Sequence, residues 1–105
     1  MDTAKRKRLQ AAGLRVGDAA DFLGLSPEEA QLVEVKLALG DELRRIRVEH
    51  RWTQTQVAQK IGSSQSRVAK MEAADASVSL DLVVKTLFSL GASSRDLGRV
   101  LSRSA

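Results

Sequence analysis

This chain of 105 residues offers few side chains suited to covalent or metal chemistry. It has no cysteine, which removes thiolate nucleophiles, disulfides and thiolate zinc sites, and it has a single histidine, His50. One imidazole beside carboxylates at no recognisable spacing supplies neither a metal-ligand set nor an acid–base pair. No catalytic residue, metal or cofactor is therefore expected. The densest set of usable groups is the stretch TQTQVAQKIGSSQSRVAKME, residues 53–72. Read as a helix, its second half puts Val68 and Met71 on one side and Ser66, Ala69 and Lys70 on the other, with Arg67 on the flank. That outer face is polar but small.

Charge is segregated along the chain. Residues 1–15 hold Lys5, Arg6, Lys7, Arg8 and Arg15 against Asp2, a balance of +4. Residues 16–40 hold five acids against Lys36, a balance of −4. Residues 41–71 return to +4, with seven Lys/Arg against Asp41, Glu42 and Glu49, and the remainder is balanced at four of each. The polar stretch thus sits in a basic segment preceded by an acidic one, a layout suited to a polyanion on one side and a basic partner on the other. The length allows one modest core, so a single domain is expected over residues 18–105 behind a basic arm at 1–17. No apolar run is long enough to span a membrane or serve as a signal-peptide core, and the absence of cysteine fits a reducing, cytoplasmic setting.

The elements that must position these groups read as helices throughout, five or six in number. Asp18 can cap a short helix ended by Gly24. Ser26, Pro27 and Glu29 then form a strong start for a long helix over about 27–50, with a possible bend at Gly40. Thr53 with Gln56 starts a short helix stopped by Gly62, and Ser64 starts another through Glu72. Ser79 caps LDLVVKTLFSL, closed by Gly91, and Ser93 with Asp96 caps SRDLGRVL. Two eight-residue helices back to back are unstable alone, and become stable when their apolar faces pack on each other and on neighbours. A helix-turn-helix does this.

Residues 43–72, LRRIRVEHRWTQTQVAQKIGSSQSRVAKME, resemble the helix-turn-helix of the XRE family, the Cro and phage-repressor type of transcriptional regulator. Arg47, Thr53, Gln54, Val57, Ala58, Ile61, Gly62, Ser64, Gln65, Val68 and Glu72 carry the likeness, which extends through SLDLVVKTLFSLGASSRDL to about residue 97. The resemblance implies an all-α, lambda-repressor-like domain that binds a palindromic double-stranded DNA operator as a homodimer and represses transcription in a bacterial or phage cytoplasm. It implies base contacts from Gln65, Ser66 and Lys70, and phosphate contacts from Thr53, Gln54 and Ser64. Arg67 would reach a base or a phosphate, and Ala69 would meet a thymine methyl or act as small filler. Glutamine can bond adenine bidentately and lysine can donate to guanine O6 and N7. It also implies an ion pair between Arg47 and Glu72.

Two departures accompany the likeness: Arg51 and Ala74 stand where the family usually has glycine, at positions that suit a left-handed backbone. Asp75 stands where a basic or neutral side chain would better meet a phosphate. Trp52 is expected to pack between the first two helices of the match. The acidic segment DFLGLSPEEAQLVEVKLALGDELR resembles the region ahead of the helix-turn-helix in HigA-type antitoxins. Glu28, Glu29 and Glu34 would then contact a RelE/HigB-like toxin. The alternative is a protein-interaction module with only nonspecific DNA affinity. Leu97, Val100 and Leu101 either form the dimer surface or cap the core, and the KRKR run at 5–8 either reaches DNA or solubilises the chain.

Overall fold

The computed structural model describes residues 24–104. The basic arm at 1–17 and the short helix expected after Asp18 lie outside the described residues. Five helices follow: α1 (Pro27–Glu49), α2 (Gln54–Ile61), α3 (Gln65–Glu72), α4 (Leu80–Ser89) and α5 (Ser94–Ser104). No strand occurs among the described residues, so the fold is all-α. None of these helices is long and apolar enough to cross a membrane.

Every helix starts on a hydroxyl that accepts an otherwise orphaned backbone N–H. Ser26 Oγ accepts from Glu29 N (3.1 Å) while Glu29 Oε1 accepts from Ser26 N (3.2 Å). Thr53 and Gln56 make the same reciprocal box at 3.0 and 2.8 Å. Ser93 and Asp96 make it at 3.1 and 2.8 Å. Ser64 Oγ accepts from Arg67 N and Ser79 Oγ from Leu82 N, both at 3.1 Å. Each such cap stabilises its helix by about 1 kcal/mol, which matters most for α2 and α3, of eight residues each.

The helix ends share one device too. After α1, Trp52 N donates to Arg47 O and Arg51 N to Val48 O, with Arg51 at φ 59°. After α3, Asp75 N donates to Lys70 O and Ala74 N to Met71 O, with Ala74 at φ 55°. The ends of α2 and α4 use the same left-handed turn, at Gly62 (φ 66°) and Gly91 (φ 100°). This is the Schellman closure, and glycine adopts it without the clash that a Cβ brings. Arg51 and Ala74 therefore adopt the same left-handed geometry as the two glycines while carrying side chains that strain it.

The core is built by Leu39, Leu43, Val57, Val68, Met71, Val83 and Leu87, all essentially inaccessible to solvent. α1 is the spine: it packs against α3, α4 and α5, while α2 packs on α3. Helix α1 continues through Gly40, whose role is proximity. A Cβ there would stand 2.7 Å from Met71 O and 3.1 Å from Glu72 O, so the backbone of α1 touches the last turn of α3. Lys36, one turn earlier, donates from Nζ to Val78 O (2.7 Å) and Asp75 O (3.3 Å) and so holds the loop between α3 and α4. Asp75 serves this loop as well: hydrogen bonds from the side chain and backbone of Ser77 hold its carboxyl below the usual carboxylate range. Leu97 and Val100 are buried in the core, which removes them from any surface open to a second copy, and Leu101 alone of the three stays exposed.

Gly40→Ala should destabilise the fold by about 1–3 kcal/mol, the cost of forcing a methyl into a packed contact, despite alanine's better helix propensity. Urea denaturation followed by circular dichroism measures it. Arg51→Gly should act in the opposite direction, gaining about 0.5–1 kcal/mol from relief of the left-handed strain less the added chain entropy.

Candidate nucleic-acid interface

Helices α2 and α3 are joined by three residues, Gly62 to Ser64, and the turn closes with Ser63 N donating to Ala58 O at 2.8 Å. Val57 and Ala58 on α2 meet Val68 and Met71 on α3 inside the core. That contact fixes which side of α3 faces out. Gln65, Ser66, Arg67 and Lys70 are exposed, and Ala69 is half-buried beside them. Thr53 and Ser64 are also exposed, at the N-termini of α2 and α3. Their hydroxyl oxygens are occupied as cap acceptors, which leaves each O–H free to donate to an anion at a helix end that already favours negative charge.

Gln54 differs from its neighbours, being half-buried and bonded on both sides. Its Nε2 donates to Glu72 Oε1 at 3.3 Å and its Oε1 accepts from Gln65 Nε2 at 2.6 Å. Glu72 in turn accepts from Arg47 Nε (2.6 Å) and Nη2 (3.0 Å), while Arg47 Nη1 donates to Trp52 O at 3.2 Å. A continuous chain of hydrogen bonds thus runs from α1 through Arg47, Glu72 and Gln54 to Gln65 on the outer face of α3. The Arg47–Glu72 pair is largely enclosed, with side-chain exposures of 16% and 6%. The hydrogen bond to Glu72 raises the pKa of Arg47, so the guanidinium stays charged. No buried side-chain polar atom among the described residues lacks a partner.

Arg47, Arg51, Thr53, Gln54 and Gln65 line one shallow hollow at the start of α2. Arg67 lines another with Ser77, Ser79 and Lys85 at the start of α4. Asp81 lines the second hollow too, beside Arg67 and Lys85. Trp52 is half-buried against the core, its ring stacked on His50 (centroids 4.3 Å apart, 16° between planes) with Lys60 Nζ 4.5 Å from its centroid. It locks the end of α1 to α2, and its faces are already in use by protein groups. Glu28, Glu29 and Glu34 lie apart from all this, on the first half of α1. Glu28 and Glu29 are exposed, Glu29 is bound into its cap, and Glu34 is half-buried.

Among known protein families, the helix-turn-helix domain matches residues 38–101. The chain belongs to that family. The match covers α2, α3 and α4 entire, with most of α5 and the second half of α1, and begins after Glu34. No curated protein and no solved structure matches the chain. Within the helix-turn-helix, the residue patterns exposed the caps, the outer face of α3 and the glycine stops. They did not expose the amide-to-amide bond between Gln54 and Gln65, although both stand at the first position of their helices, or the loop anchor Lys36. Neither residue type nor spacing distinguishes Lys36 from a solvated surface lysine.

Removing one partner of the enclosed pair should cost more than removing both. Glu72→Leu alone should destabilise by about 3–5 kcal/mol, and Arg47→Met/Glu72→Leu by clearly less, since the double variant strands no charge. Chemical denaturation of the two single variants and the double variant completes the cycle.

Proposed function

We propose that this helix-turn-helix domain is a sequence-specific transcriptional regulator of the XRE type. It lays α3 in the major groove of an operator and, as a homodimer, blocks transcription. The Gln54–Gln65 bond carries the reading. With one Nε2 hydrogen given to Gln54, Gln65 keeps one N–H and its Oε1, the donor–acceptor pair that adenine N7 and N6 require. The bond also fixes the amide before DNA arrives, which reduces the side-chain entropy lost on binding. Lys70 would donate to guanine, Ser66 to a base edge, and Arg67 to a base or a flanking phosphate. Thr53, Gln54 and Ser64 hold the phosphates on either side, consistent with the +4 balance of residues 41–71. One recognition helix covers few base pairs, so two copies would read half-sites about 34 Å apart. The role places the protein in the cytoplasm, without enzymatic activity and without a cofactor.

A second role would leave this surface intact. The acidic first half of α1 lies outside the family match, and its exposed Glu28 and Glu29 suit a small basic partner. A HigA-type antitoxin would hold its RelE/HigB-like toxin there while α3 holds the operator. Co-purification of such a toxin from native extract supports this role, and loss of the complex on Glu28→Lys/Glu34→Lys locates it.

The DNA reading is tested by fluorescence anisotropy with the DNA upstream of the protein's own gene, random duplex as competitor, at two salt concentrations. Wild type should prefer the upstream DNA, and Gln65→Ala/Lys70→Ala should lose that preference, each contact being worth about 1–3 kcal/mol. Equal, salt-sensitive binding of wild type to both duplexes would instead mark phosphate attraction alone and leave protein interaction as the main function.

A further inference from the structure

Behind the helix-turn-helix, α1 and α5 enclose a second charged feature that reading DNA does not use. Arg95, Arg99 and Arg103 follow one another at intervals of four along α5, forming one stripe about 12 Å long at 1.5 Å per residue. Across from it on α1 stands Arg45. Together with Glu42 and Asp96 these four arginines line an open cleft of about 970 Å³. Glu42, Arg45 and Glu49 lie on nearly the opposite side of α1 from Gly40, Leu43 and Arg47, which face α3. A single duplex in contact with α3 therefore leaves this cleft free.

The two carboxylates in the cleft are already satisfied. Glu42, 6% exposed, takes both Arg45 Nε (2.7 Å) and Arg45 Nη2 (3.0 Å). Asp96 caps Ser93 N and accepts from Arg99. Arg45 still has donors to spare after a further bond to Glu49. Arg95 and Arg103 have no carboxylate within pairing distance among the described residues, so the six charged groups of the lining sum to +2, with two guanidinium forks unspent there and Glu49 sharing Arg45 from outside the cleft.

We propose that this cleft is a binding site for a small polyanion, a phosphorylated molecule carrying at least two phosphate groups, held between Arg45 on α1 and Arg95, Arg99 and Arg103 on α5. Three observations bear on the ligand class. Guanidinium forks match phosphate oxygens bidentately, and lysine, which does so poorly, is absent from the lining. The stripe spaces its charges along a line, as a chain of phosphates does. The volume suits a small molecule. A bound polyanion would cross-link α1 to α5 and so stabilise the folded state by RT ln(1 + L/Kd), with L the concentration of free polyanion.

The test is the thermal midpoint of the full chain titrated with inorganic tripolyphosphate, against sodium chloride of equal ionic strength. A rise that grows with the logarithm of tripolyphosphate concentration above the apparent Kd is expected, and none of that size with sodium chloride. Arg95→Ala/Arg103→Ala should raise the apparent Kd about tenfold or more, the loss expected of two charge-assisted contacts. Lys60→Ala/Lys85→Ala, which removes the same charge elsewhere, should leave it unchanged. Neither arginine of the first variant makes a side-chain hydrogen bond or ion pair with another described residue. Arg95→Lys/Arg103→Lys, which keeps charge but loses the forks, should fall between wild type and the alanine variant. No rise beyond that given by sodium chloride, or one weakened equally by the Lys60/Lys85 variant, would overturn the proposal.

Discussion

The structure turns on how closely α1 passes the last turn of α3. Gly40 lets the two backbones meet, since a Cβ there would stand 2.7 Å from Met71 O. Seven residues further along α1, Arg47 binds Glu72 with both ends of its guanidinium fork. Contact and ion pair reinforce each other. The close approach excludes water from the pair, which strengthens the electrostatic attraction. The pair in turn fixes the rotation of α3 about its axis, which the apolar contacts of Val68 and Met71 set less sharply. An eight-residue helix has little stability of its own, so its orientation is decided by what holds it. Here one end is held by α1, one face by α2, and the loop beyond it by Lys36.

This arrangement divides the surface by task. The outer face of α3 carries short polar side chains and cations with no large apolar group among Gln65, Ser66, Arg67 and Lys70. Such a face gains little from burial against protein and much from hydrogen bonding in a polar groove. The path from Arg47 through Glu72 and Gln54 to Gln65 joins fold stability to the amide that the proposed function assigns to a base. A disturbance of the enclosed ion pair would therefore reach recognition as well as folding. The acidic half of α1 and the arginine cleft on α5 lie outside that path.

Much of this was legible in the residues, because the helix starts are local. A serine or threonine followed three residues later by Glu, Gln or Asp specifies a cap with almost no tertiary context, and Ser26, Thr53 and Ser93 all cap that way. The glycine stops at 62 and 91 are equally local. The outer face of α3 followed from helical spacing once Val68 and Met71 were assigned inward. The rest depended on tertiary contact. Gly40 read as a bend site, when its purpose is a backbone approach between residues more than thirty positions apart. Lys36 gave no sign of its loop contacts, and Leu97 and Val100 were apolar residues with two possible destinations until α5 was seen folded onto α1. Arg51 and Ala74 show the limit from the other side: likeness to a family marked both as left-handed positions, while their own residue types argue against that conformation.

In the proposed function, the face of α3 displaying Gln65 and Lys70 reads base edges in the major groove. Selecting duplexes from a random pool with the wild-type protein, then mapping methylation interference on the selected sequence, tests it most directly. Methyl groups at guanine N7, in the major groove, should block binding within each half-site, whereas methyl groups at adenine N3, in the minor groove, should have little effect there. A pool that yields no common sequence, or interference confined to the minor groove, would contradict the account.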